Sequence, residues 1–206
     1  VYLILKKIVK KNLVIINNEK CSIKENGLYC ENIEIKSLSE NLKNKYNIKF
    51  LLRKGNITPV YKIDKSNTKI SSNILSFIKN LIISMTKDRA DYLIISVTPY
   101  TFLSFLLLFL FKKKKFLYLR SDGKKEISII FGKKLSIIYK IIENVMAKFS
   151  NLIVVNDLIS KKKKFHLVNP SQIDQQWFQN IKITKRDKIK LLYVGRIKVE
   201  KGVYSL

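Results

Sequence analysis

Twenty consecutive residues, Tyr92 to Phe111, carry no charge, and on length alone such a run can cross a bilayer. Its interior argues against that. Ser96, Thr98, Pro99, Tyr100 and Thr101 divide the run into a strand-like piece, Asp91 to Ser96, and an apolar stretch from Phe102 to Phe111. As a helix the second piece rises roughly 15 Å, about half a hydrocarbon core. The expectation is a strand, a proline turn and a buried helix rather than a membrane span.

Short apolar runs alternate with helical patterns along most of the chain, the rhythm of a parallel sheet covered by helices. Strands are expected at 12–17, 21–24, 28–30, 48–52 and 60–63, with Asn26-Gly27 as a two-residue hairpin turn, whose central positions need positive φ. A short helix is expected near Ser37 to Lys45. A second, capped by Ser71 or Ser72, places Ile74, Ile78, Leu81, Ile82 and Met85 on one face. Phe116 to Leu119 and Leu152 to Val155 read as further strands. Between them Leu135, Ile138, Tyr139, Ile142, Val145, Met146 and Phe149 mark an amphipathic helix. From Asn169 to Asp187 the chain turns polar, and Lys190 to Val194 then opens a new strand ending at Gly195.

The fold class expected is α/β: a Rossmann-like N-terminal domain over 1–168, with a parallel sheet and flanking helices, a linker over 169–187, and the first strand and loop of a second Rossmann-like domain over 188–206. The chain begins at Val1 and stops at Leu206 without a terminating signal, so it reads as a fragment.

With 206 residues, 47% of them hydrophobic, the chain can bury a sizeable core and is not a disordered tail. Lys and Arg number 41 against 15 Asp and Glu, a net charge of +26. Such a field raises encounter rates with nucleic acid, anionic lipid or phosphorylated substrates; the competing reading is a coding bias toward Lys, Ile and Asn. Cys21 and Cys30 are too few for a disulfide framework or a structural zinc site and fit reduced thiols in the cytoplasm. No metal is expected. The lone histidine, His166, sits in an apolar strand-like segment and reads as packed rather than as ligand or base.

The sharpest motif is Leu191-Leu-Tyr-Val-Gly-Arg-Ile-Lys-Val-Glu-Lys-Gly202. A buried strand ends in a glycine that frees the backbone to turn, and Arg196 and Lys201 flank the loop before a helix. Free N–H groups at a helix start and two cations make an anion cradle suited to a diphosphate. The bland alternative is a solvated basic turn.

The Tyr193-Val-Gly-Arg196 and Glu200-Lys-Gly202 segments resemble the opening of the donor-binding domain in family 4 retaining glycosyltransferases, enzymes of two facing Rossmann-like domains known as the GT-B architecture. Upstream, Val168-Asn-Pro-Ser-Gln-Ile-Asp174 resembles that family's interdomain strand exit, with Pro170 and extra residues where a glycine is common. The resemblance implies that Gly195, Arg196 and Lys201 contact the diphosphate of a nucleotide-diphospho-sugar, that Asn169 and Asp174 are interdomain contacts, and that no metal or other cofactor is needed. The family's acidic pair lies beyond Leu206, so this chain by itself is not expected to catalyse.

The loop Arg120-Ser121-Asp122-Gly123 follows a strand, where open α/β sheets bind ligands. By resemblance, Arg120 and Ser121 face the acceptor and Asp122 orients a hydroxyl, against a plain turn or helix-capping role for Asp122. The acceptor implied is a glycan or lipid-linked glycan in bacterial-type surface polysaccharide assembly. The lysine runs 112–115 and 161–164 then read either as solvated loops or as contacts with the anionic inner face of the plasma membrane. The alternative function is a basic nucleic-acid-binding α/β module. It has the charge but no zinc motif, arginine-rich face or regular aromatic-basic spacing, so nucleic acid is not the expected partner.

Overall fold

The computed structural model describes residues 10–24, 27–87, 89–157 and 164–169. Lys161, Asp174, Gly195, Arg196, Lys201 and the rest of the expected linker and second domain beyond Asn169 lie outside the described residues.

The described residues form a mostly parallel mixed sheet with five helices. Its strands are β1 (Lys11–Lys24), β2 (Gly27–Cys30), β3 (Tyr46–Lys54), β4 (Tyr61–Ile63), β5 (Thr68–Ser71), β6 (Ala90–Ile95), β7 (Lys115–Leu119), β8 (Asn151–Val154) and β9 (His166–Leu167). The helices are α1 (Ile33–Leu42), α2 (Ile74–Lys87), α3 (Pro99–Leu110), α4 (Gly123–Phe131) and α5 (Lys133–Lys148). Seven strands run parallel in the order β5-β3-β1-β6-β7-β8-β9. The chain winds outward one way from β1 through β3 to β5, then returns to β6 on the other side of β1. That order is compatible with a Rossmann-like fold, and its switch point lies between β1 and β6.

Helices cover both faces, so the central strands are apolar throughout rather than alternating. On one face Val14, Ile16, Leu51, Ile94 and Leu117 pack under Phe77 and Leu81 of α2, Phe105 and Leu108 of α3, and Met146 of α5. On the other, Leu13, Ile15, Phe50, Leu52 and Ile95 pack under Ile35 of α1 and the β2 and β4 strands. Each fully buried aliphatic side chain contributes about 1.5–3 kcal/mol.

The charge-free run resolves as strand, cap and helix. Thr98 caps α3: its hydroxyl accepts from Thr101 N–H at 3.2 Å, and Thr101 Oγ1 accepts from Thr98 N–H at 2.8 Å. Pro99 takes the first helical position, where its missing N–H costs nothing. Among the described residues no helix is long and apolar enough to cross a membrane.

Several local expectations are corrected. The segments 12–17 and 21–24 are one strand, β1, whose pairing with β3 is irregular between Ile16 and Lys20; its first half is parallel to β3 and β6, while its second pairs antiparallel with β2. Gly27 pairs with Lys24 inside the hairpin rather than sitting at its turn. Its φ of +155° and the approach of Lys62 Cε to within 2.9 Å of where a Cβ would sit explain the glycine. α1 starts at Ile33, ahead of the expected Ser37, because Asn32 caps it through Glu34 N–H at 3.0 Å. α2 is capped by Asn73, not Ser71 or Ser72, through reciprocal bonds with Ser76. Its buried face is Phe77, Leu81 and Met85, and Ile82 lies outside it at 40% exposed.

The Lys112 to Lys115 run is not simply solvated. Lys113 Nζ donates to Met85 O at 2.9 Å, Lys114 pairs with Asp91 at 3.3 Å, and Lys115 is buried with its ammonium 5.3 Å from the Phe109 ring centroid. His166 lies on the short strand β9 and is exposed rather than packed. Of the expected core stripe on and just after α5, Tyr139, Ile142 and Met146 pack against the core, whereas Leu135, Ile138, Val145 and Phe149 are exposed.

Candidate functional site at the carboxyl edge of the sheet

The carboxyl ends of β1, β3, β6 and β7 gather the groups that can handle a polar ligand. Ser96 follows β6 with φ of +63°, a left-handed conformation that costs a non-glycine residue about 1–3 kcal/mol unless its surroundings hold it. They do: Ser96 N–H donates to Tyr118 O at 3.0 Å, and Thr101 Oγ1 donates to Ser96 O at 3.0 Å. The capped start of α3 therefore fixes the bend directly after β6.

Arg120 follows β7. Its guanidinium forms an ion pair and hydrogen bond with Glu34 of α1, and Nη2 lies 3.5 Å from Ser96 Oγ. Burial raises the Glu34 carboxyl above its ordinary range, while the charge and hydrogen bond of Arg120 pull it back down. Tyr118, on the same floor, is raised by burial and then by Glu34, with Arg120 opposing. Arg53, at the end of β3, donates to Asn18 Oδ1 at 2.9 Å and lies 4.2 Å from the Tyr100 ring centroid. Asn17 is 4% exposed. Its Oδ1 accepts from Glu19 N–H at 3.2 Å, but its Nδ2 has no hydrogen-bond partner among the described residues. A buried amide left so costs about 1–3 kcal/mol, and this one sits opposite Ile95 at the switch point.

A cleft of about 640 Å³ opens over Tyr118 and the Arg120–Glu34 pair, lined also by Leu38, Val155 and Asn169; Asn17, Arg53 and Ser96 lie outside its lining. It offers an arginine, a carboxylate and a phenol against an apolar wall, the mixture that holds a polyhydroxylated or anionic small molecule. A larger, shallower depression of about 1160 Å³ lies beside β2 and β4. Its charged residues Lys24, Lys62, Asp64 and Lys65 are all exposed, so it lacks the desolvated polar groups of the first.

Of the residues singled out in the sequence, Arg120 and Asn169 line this cleft together. Ser121 is exposed beside it. Asp122 is the N-cap of α4, accepting from Lys125 N–H at 3.3 Å and pairing with Lys125 Nζ at 3.8 Å. Glu34, Ser96 and Asn17 were not singled out. For Glu34 the available signal was Asn32 ahead of the apolar spacing Ile35, Leu38, Leu42, which starts α1 early enough to place Glu34 in its first turn. Among the described residues no cluster of His, Cys, Asp or Glu could hold a metal ion. No family model, no curated protein and no solved structure matches the chain.

Proposed function

We propose that this chain is the acceptor-side lobe and the opening of the donor-binding lobe of a retaining glycosyltransferase. It would move a sugar from a nucleotide-diphospho-sugar to a glycan or lipid-linked acceptor. The observation that carries the reading is the cleft at the carboxyl ends of β6, β7 and β8, where Arg120 is held between Glu34 and Ser96 beside the switch point. Such a floor suits an acceptor: hydroxyls donate to the Glu34 carboxylate and accept from the Arg120 guanidinium, both of which line the cleft. The Gly195-Arg196 and Lys201 motif supplies the complementary half, two cations that neutralise the diphosphate as it departs with the bonding electrons.

The test uses thermal unfolding and transfer assays. A nucleoside diphosphate is expected to raise the melting temperature, and Arg196→Ala or Lys201→Ala to abolish that rise. In the active protein each should lower catalytic efficiency by about one to two orders of magnitude, the worth of a charge-assisted bond. Arg120→Ala should weaken acceptor binding and leave the nucleoside diphosphate effect intact. No protection by any nucleoside diphosphate, together with retention on RNA or DNA that falls steeply with salt, would replace this reading with the nucleic-acid-binding one.

A further inference from the structure

α5 carries apolar side chains on both sides: Tyr139 and Ile142 pack, partly buried, against the core beside Met146 and Ala147, and a second aliphatic row faces out. Its inward side buries Ser136, Glu143, Met146 and Ala147. Its outward side carries Ile138, Ile141, Val145 and Phe149, which are 53, 59, 39 and 45% exposed and lie within about 80° of arc at 3.6 residues per turn. At one end Phe149 meets Phe109 of α3 with ring centroids 5.0 Å apart, carrying the apolar surface on to the exposed Leu110 and Phe111. At the other end the last turn of α4 adds Ile129, Ile130 and Phe131, each more than half exposed. Contiguous apolar surface on this scale marks an interaction face.

Its charge selects the occupant. Residues 106–149 hold eleven basic and three acidic side chains; setting aside the buried Lys115 and Glu143 and the cleft residue Arg120 leaves nine basic against two acidic. Lys112, Lys133, Lys134 and Lys148 are exposed around the apolar stripe, and the Lys148 ammonium lies 5.4 Å from the Phe149 ring centroid. We infer that this face docks on an anionic lipid surface, with α5 lying in the plane of the interface. The apolar stripe sinks to the level of the acyl chains while the lysine stems reach back to the headgroups. Pairing with a second copy would instead press two strongly positive faces together. The inference concerns α3, α4 and α5 and stands whether or not the chain transfers sugars.

The test is co-sedimentation of the 206-residue chain with vesicles of phosphatidylcholine alone and of phosphatidylcholine with phosphatidylglycerol. Binding is expected to the anionic vesicles and to weaken with salt. Ile138→Glu with Ile141→Glu should reduce it more than tenfold, since burying each isoleucine is worth at least that factor. Lys133→Glu with Lys134→Glu should reduce it by roughly fivefold or more per lysine. Both pairs are exposed, and unchanged circular dichroism separates lost docking from lost folding. A chain that ignores both vesicles overturns the inference. So does equal binding by the parent and both variants, or a dimer in sedimentation velocity that Ile138→Glu with Ile141→Glu dissolves.

Discussion

α2 and α5 cover the same face of the sheet, and they do it in different ways. α2 buries Phe77, Leu81 and Met85 in one apolar row, and Phe77 meets Tyr100 edge to face at 5.2 Å beneath the Arg53 guanidinium. α5 buries a serine, a glutamate, a methionine and an alanine, packs Tyr139 and Ile142 only partly buried against the core, and leaves a second aliphatic row outside. Helical periodicity fixes that a segment is a helix; which side faces the sheet is decided by what the neighbours can accept. On the inner side of α5 the Tyr139 ring packs against the core and also lies directly against Gly123 of α4. The largest expected effect follows from the conventional helix. Phe77→Ala should cost about 3–5 kcal/mol in denaturant unfolding. A loss below about 1 kcal/mol would mean that α2 is not the anchor of this face and the contrast is false.

The next effect tests the close approach under α5. An alanine near a helix start ordinarily stabilises by about 0.5–1 kcal/mol over glycine. At position 123 the added methyl meets Tyr139, so Gly123→Ala should instead destabilise by about 1–3 kcal/mol, the cost of overpacking. Tyr139→Ala in the same chain should recover part of that loss, measured as a non-additive double-mutant cycle. A stabilised single variant would show that α4 and α5 are not packed through this point.

Alkali sharpens the comparison further. Burial, followed by Glu143, Glu126 and Asp122, pushes the Tyr139 phenol well above its ordinary value, so the folded chain keeps its proton while the unfolded chain loses it near pH 10. The folded form then binds more protons than the unfolded, and stability falls as pH rises through that window by at most about 1.4 kcal/mol per pH unit. Tyr139→Phe should flatten this part of the slope, and hydrogen exchange should show α5 opening before α2, whose buried residues do not titrate. Equal slopes in parent and variant would place Tyr139 in solvent.

The strand, proline and helix around Thr98 were legible because the breakers and the cap are themselves sequence signals and act within a few residues. The continuity of β1 was not, since its second half is held by a hairpin partner while its pairing with β3 becomes irregular beyond Ile16. Of the candidate site, Arg120 was visible from its place after a strand. Glu34 acquires its role only from an arginine 86 residues away. Ser96 is left-handed because Tyr118 and Thr101 hold both of its backbone polar groups, a condition nothing in the local sequence states. The orientation of α5 was illegible for a different reason: it has apolar residues on both sides, so the pattern alone cannot choose between them.

The smallest expected effect is the most discriminating. Ile138→Ser and Ile141→Ser replace side chains that are 53 and 59% exposed, and a polar residue at such a site changes stability by no more than about 0.5 kcal/mol. Measured in lipid-free buffer, each variant should unfold with the parent, while serine at Leu81, which is fully buried, should be strongly destabilising. If the isoleucine variants lose more than about 1 kcal/mol, their side chains are already covered in solution and α5 is an ordinary packed helix. If they are neutral in buffer yet fail on anionic vesicles, the aliphatic row contributes nothing to folding. The outward aliphatic row of α5 would then belong to what the helix touches rather than to how the chain folds.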